Sequence, residues 1–273
     1  MRTMLENMLN DIGGADLFKG IIKILTKDPF TAYGVENIVE ALYNAVMSAA
    51  MMLMFIYFLI AVVDKMTSEN FTWEQLWKQM AMLLAAKLVI EHGLEIMTLM
   101  SKVGVELVNI VNQHGLDDFK GGLDANAVIN TFEGKFKGIF KILGDLVLFM
   151  YIIFPWLLSW IMGMCVKIIC YTRLIEIYVR ACFAPLALSD FFKNGFQGNG
   201  WRYLKSFFAI CLQGGIILAI AILFSKLLDN FLTAVDDPAN LFEFLGIYFA
   251  VGCSAIMLMF RSLSLSKEIM GSN

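Results

Sequence analysis

From Ala41 to Val63 the chain carries no charged residue. A helix rises about 1.5 Å per residue, so this run can cross about 30 Å of hydrocarbon. No water is available there to bond an open backbone, so such a run closes its own hydrogen bonds as a helix. Three more uncharged or nearly uncharged runs follow, at Leu146–Val166, Ser206–Ser225 and Phe244–Phe260. Composition agrees. The chain is 59% hydrophobic and only 16% charged, against about 25% charged for an ordinary soluble domain. The expectation is an all-α, polytopic membrane protein with five to six transmembrane helices and an N-terminal amphipathic interfacial helix.

Three segments follow from this reading: 1–40 amphipathic, 41–263 transmembrane, and 264–273 a short polar tail. Between Asp16 and Lys27, Leu17, Ile21, Ile24 and Leu25 share one helical face, and Lys19, Lys23 and Lys27 recur on another. That pattern suits a helix lying among lipid headgroups with its lysines reaching out. Asp28-Pro29 should end it, since proline disfavours a helical residue before it. The first long apolar run begins too far in for a signal peptide, so the first span is expected to target the chain and stay. Trp73 and Trp77, one turn apart, suit a membrane interface.

Glu74 to Asn112 reads as one long helix and the second span. It carries Lys87, Glu91, His92, Glu95, Lys102 and Glu106. Charges at depth cost about 2.5–3.5 kcal/mol each, so they should face water or the bundle interior. Lys87, Glu91 and Glu95 are four apart and share a face. Two readings stand: a polar lining for a conduit, or an internal Lys87–Glu91 pair that fixes helix register. His92 has no second histidine nearby to suggest a metal. The five cysteines lie in or beside apolar runs without C-x-x-C spacing, and read as small buried apolar residues. No cofactor or metal is expected.

The third span, Leu146–Val166, contains Pro155, which should kink it. Ile168–Leu188 is apolar enough to insert, yet carries Arg173, Glu176 and Arg180. It is either a fourth crossing, giving six spans, or an extension of the third helix folding back at Pro185, giving five. Six spans gather most lysines and arginines on the cytoplasmic side, while five divide them almost evenly. The missing turn and the three charges favour five. The charge rule tips the reading to six. Polar loops are expected at Gln113–Lys137 and Lys226–Glu243. Gly215 with Ala219, and Gly246 with Ala250 and Ser254, set small residues four apart, which permits close helix packing or oligomer contact.

The chain lacks G-x-x-x-x-G-K-[ST], H-E-x-x-H and G-x-S-x-G. Gly195, Gly198 and Gly200 follow no strand, so a dinucleotide loop is excluded. Asp190 reads as a capping or loop acid. An enzyme is not expected. No inverted repeat is evident, which weakens a secondary-transporter reading.

One stretch carries a resemblance. An Arg-bearing helix from Arg173 ends in Ala184-Pro185-Leu186-Ala187-Leu188. A Gly/Asn-rich loop follows, and Trp201-Arg202-Tyr203-Leu204-Lys205 then leads into a Gly-containing apolar run that reaches Ala219. This pattern resembles the TrbL-like family of polytopic inner-membrane proteins of conjugation and type IV secretion systems. The resemblance implies a channel or scaffold subunit at the bacterial inner membrane, assembled as a homo-oligomeric ring. Its implied partners are the other secretion subunits, including the ATPase, the membrane lipid, and transferred single-stranded DNA. No catalytic residue carries over. Arg173, Glu176 and Arg180 could line a pore mouth, where arginine favours a phosphate backbone, or Glu176 could bridge both arginines and fix packing. Trp201, Arg202 and Lys205 read as interface anchors. A small-solute transporter and a non-conducting scaffold are the alternatives.

Overall fold

A computed structural model of the chain describes residues 15–67, 72–116, 141–194, 198–233 and 241–271. Every element among them is a helix: α1 (Ala15–Leu25), α2 (Pro29–Ala32), α3 (Glu36–Met66), α4 (Trp73–Glu91), α5 (Gly93–Leu116), α6 (Lys141–Leu188), α7 (Phe191–Asn194), α8 (Asn199–Thr233), α9 (Leu241–Phe260) and α10 (Ser262–Ile269). Most of the polar loops expected at Gln113–Lys137 and Lys226–Glu243 lies outside the described residues. Among those residues three helices are long and apolar enough to cross a membrane, or four if the bent pair α9–α10 is one crossing.

Two compact units divide the chain. Residues 1–26, 107–171 and 214–262 form one; residues 27–106, 172–213 and 263–273 form the other. In the first, Ile21 and Leu25 of α1, Val108 of α5, Val166 of α6, Ile217 and Ala221 of α8, and Tyr248 and Met259 of α9 make the core. The expected interfacial helix is corrected here. α1 forms where its period predicts, but Ile21 and Leu25 are buried among these residues. Two of the four apolar positions of that face thus pack on their own chain. Lys23 and Lys27 are exposed, as the pattern requires.

In the second unit the core comprises Phe30 of α2, Val39 and Tyr43 of α3, Ile90 of α4, Met97 of α5, Ile177 and Leu188 of α6, Phe192 of α7, and Phe207 and Ile210 of α8. Asp28 caps α2, accepting from the Phe30 amide at 3.2 Å, with Pro29 in the first turn where a missing N–H costs nothing. Phe30 lies edge-on to Tyr178, whose hydroxyl donates to the Pro29 carbonyl. Asp190 is the loop acid expected: its carboxylate accepts the Asn199 amide at 2.7 Å, at the start of α8. The C-terminal tail is helical rather than loose. Its Ser266 is buried and donates to the Ala209 carbonyl.

α6 runs unbroken for 48 residues, through Pro155, Gly163 and Pro185. No turn separates Ile168–Leu188 from the third predicted span. Nothing in the sequence between Val166 and Ile168 offers a turn, and the helix simply continues.

The second predicted span is not one helix. The helix divides at His92, into α4 and α5, and neither half is among the helices apolar enough to cross. The cause is a side chain from α3. Tyr43 is buried, its hydroxyl donates to the Ile90 carbonyl, and its oxygen lies in reach of the Gly93 and Leu94 amides. A polar group set into the backbone ladder is a known cause of a helix break. Gly93 makes room: a Cβ there would lie 2.3 Å from the Tyr43 hydroxyl and 2.6 Å from Leu188 Cδ1. Tyr43→Phe deletes the bond and leaves buried backbone groups short of a partner, a loss of about 1–3 kcal/mol. We expect a lower melting temperature for the detergent-purified variant; an unchanged one would show the hydroxyl is idle.

The spans differ in cover. Only 11% of the apolar window of α3 is buried, against 67% for α8 up to Phe224. α8 is thus wrapped by its own chain. α3 presents Met52, Phe55, Ile56, Leu59 and Ile60 outward, to lipid or to another chain.

Candidate functional site

The Arg-bearing half of α6 faces α8. Arg173 is 4% exposed, and its guanidinium donates from Nε to the Ile210 carbonyl at 2.9 Å and from Nη2 to the Cys211 carbonyl at 2.8 Å. α5 closes on the same carbonyl: a Cβ on Gly104 would lie 2.4 Å from the Cys211 oxygen. The guanidinium charge is thus met by two charge-assisted bonds, which offset much of its desolvation.

One turn on, Glu176 Oε1 accepts from Arg180 Nη2 at 2.7 Å and Nε at 3.1 Å. Arg180 Nη1 donates to Ser206 Oγ at 2.8 Å, and Tyr203 donates its hydroxyl to the Arg180 carbonyl at 2.6 Å. Arg173, Glu176 and Arg180 do share a stripe, as their spacing predicts. The stripe is a seam between α6 and α8, running Arg173 to Ile210 and Arg180 to Ser206. Arg173, offered from sequence as a pore lining, is turned onto backbone carbonyls of its own chain. The carboxylate of Glu176 holds Arg180.

The charges flanking the α4–α5 break lie outward. Lys87 Nζ is 3.5 Å from Glu91 Oε1, with the side chains 52% and 39% exposed. His92 Nδ1 is 3.1 Å from Glu95 Oε2, both exposed. Lys102 and Glu106 are exposed as well. The expected Lys87–Glu91 pair forms, but not internally. An exposed pair one helical turn apart is worth about 0.3–0.5 kcal/mol, too little to fix a helix register.

Trp73 and Trp77 stand 73% and 68% exposed on α4. Trp201 is half-buried with the Lys205 ammonium 6.0 Å from its ring centre, and Arg202 is exposed. The small residues split. Gly215 is buried inside its own chain, where a Cβ would meet Leu107 Cδ2 at 2.3 Å, and Ala219 is half-buried. On α9, Tyr248, Gly252, Ala255 and Met259 turn inward, and a Cβ on Gly252 would meet Met162 Sδ at 3.0 Å. Gly246, Ala250 and Ser254 turn outward, and a Cβ on Gly246 would meet nothing within 4 Å. None of the five cysteines is in a disulfide, and each is buried or half-buried.

Sequence reasoning missed Tyr43, Gly93, Gly104, Tyr203 and Ser206. For Tyr43 a signal existed: a phenol hydroxyl inside an apolar span needs a partner. For Gly104 none existed, since its role depends on a carbonyl over 100 residues away in the chain.

The family described as TrbL/VirB6 plasmid conjugal transfer like protein matches residues 26–185. The match takes in α2 to α5 and nearly all of the α6 face that carries the Arg173–Arg180 seam. It stops at Pro185, so the Trp201–Lys205 pattern lies outside it. No curated protein and no solved structure matches the chain. With more than half of its length matched, this chain, a helical membrane component of conjugal transfer and type IV secretion, belongs to the TrbL/VirB6 plasmid conjugal transfer family.

Proposed function

We propose that the chain is a channel subunit of a conjugal DNA-transfer apparatus in the bacterial cytoplasmic membrane. Copies assemble as a closed ring, hold the other secretion subunits including the ATPase, and pass single-stranded DNA. The observation that carries this reading is the outward placement of Lys87, Glu91, His92 and Glu95 at the α4–α5 break. Charges on the outer face of a membrane component need water or a neighbouring chain around them. A ring supplies both, with these residues toward its lumen. One lysine and two glutamates make a mixed wall. Such a wall suits passage better than capture, since a conduit must bind its cargo weakly enough to release it.

The test replaces Lys87, Glu91 and Glu95 together by glutamine and follows both assembly and conjugation frequency. Transfer is expected to fall about tenfold or more, the effect of roughly 1.4 kcal/mol on a passage barrier, with the complex intact. Unchanged transfer would sink the lining role. Loss of the complex itself would point to a scaffold.

A further inference from the structure

Between α3, α4 and α7, all within the second unit, lies a cleft of about 640 Å³. That is the size of a small-molecule site. Its walls are two helical faces. From α3 come Tyr57, Ile60, Ala61, Asp64 and Lys65; from α4 come Gln75, Lys78, Gln79 and Met82. Six residues separate the end of α3 from the start of α4, so the two helices run antiparallel and their residues pair by level.

The polarity of the cleft changes along its length. At the turn end Asp64 and Lys65 stand with Gln75 and Lys78. Deeper, Tyr57 and Met82 stand with Phe192, which is buried and lies edge-on to Phe58 at 6.0 Å between ring centres. Ile60 in the wall, and Ile56, Trp77 and Met80 on the same two helices, are exposed apolar side chains. A charged mouth over an apolar shaft, flanked by tryptophan, is the pattern of one bilayer leaflet from headgroup to acyl chain. Gln75 adds a second pointer. Its Oε1 is buried without a hydrogen-bond partner. An unmet buried acceptor costs about 1–3 kcal/mol, and a turn of the terminal amide, a soft two-fold torsion, offers it to a donor in the cleft.

We propose that this cleft binds one glycerophospholipid whose headgroup carries a phosphodiester and, beyond it, a primary ammonium. Lys65 and Lys78 take the phosphate. Asp64 and the Gln75 Oε1 take the ammonium N–H groups, and an acyl chain lies along Tyr57 and Met82. Two lysines alone would accept any anionic lipid. Asp64 and Gln75 select for a headgroup that donates hydrogen bonds. The site does not depend on whether the assembled complex conducts DNA.

The full chain is reconstituted in nanodiscs of equal phosphatidylethanolamine and phosphatidylcholine. It is then moved to mild detergent, and the retained phospholipid is read by native mass spectrometry. Phosphatidylethanolamine should be retained in preference to phosphatidylcholine, whose headgroup has no N–H. Lys65→Gln with Lys78→Gln should lower retention about tenfold or more, as expected for two lysines near a phosphate. Gln75→Leu should erase the preference while a lipid still binds. These positions line an open cleft, and melting temperatures confirm folding; Lys78→Gln alone serves if the double variant unfolds. Equal retention of both lipids, or unchanged retention in the lysine variants, overturns the proposal. Displacement of the lipid by inorganic phosphate also overturns it, in favour of a soluble phosphate ligand.

Discussion

Gly104→Ala is expected to destabilise the protein by about 2 kcal/mol or more, although alanine is the better helix former. Two effects oppose each other. In an open helix interior the change would gain about 1 kcal/mol. Here the new Cβ would lie 2.4 Å from the Cys211 oxygen and 2.8 Å from its carbonyl carbon. Both are backbone atoms, and no side chain can turn aside to relieve them, so α5 and α8 must part. The Cys211 oxygen is also an acceptor for Arg173, so that bond is strained too. Overpacking a tight contact typically costs about 1–3 kcal/mol and sometimes more, and it wins. Gly246→Ala is the matched control, since its Cβ meets open space. Thermal unfolding in detergent decides it: a clear drop for Gly104→Ala and none for Gly246→Ala. Equal behaviour of the two would refute the close approach.

Arg173→Ala carries the second large effect. It removes two bonds to carbonyls, each worth about 1.5–3 kcal/mol when one partner is charged, and leaves a void. Against this, the chain no longer buries a charge, and replacing a buried ion by an apolar group of similar size is often neutral. The net expectation for alanine is a loss of about 3 kcal/mol. Arg173→Met refills most of the space, so it should lose far less and keep DNA transfer. Melting temperature and conjugation frequency, measured on both variants, separate two roles for Arg173. A methionine variant that is stable but does not transfer would mean that Arg173 touches the substrate and is not a strut of the seam.

The sequence made the helical class and the position of α3, α8 and α9 legible, because uncharged runs in a membrane have only one way to bond their backbone. It also placed α1, since a 3.6 period marks a helix and its apolar face. What a period cannot show is what covers that face, and Ile21 and Leu25 found their own chain instead of lipid. The continuity of α6 was hidden for a related reason. Charge counting assumes that lysines and arginines sit in loops at the ends of spans, whereas Lys167, Arg173 and Arg180 sit along one continuous helix. The missing turn near Gly163 was the better signal. The break at His92 had only Gly93 as a marker, and Tyr43, which fills the space Gly93 leaves, is 50 residues earlier in the chain.

Of the residues singled out from sequence, those on the α6 stripe and Gly215 make contacts within the chain, while Lys87, Glu91, Glu95 and the Gly246, Ala250, Ser254 face are left outward. The proposal that they meet other copies has a direct test in the mass of the solubilised complex by native mass spectrometry. A closed ring gives a single discrete multiple of the 30.7 kDa chain, and Ala250→Trp, which would block the outward face of α9, should shift it to monomer. A wild-type protein that is monomeric by mass, while the intact cells transfer DNA at the normal frequency, would contradict it.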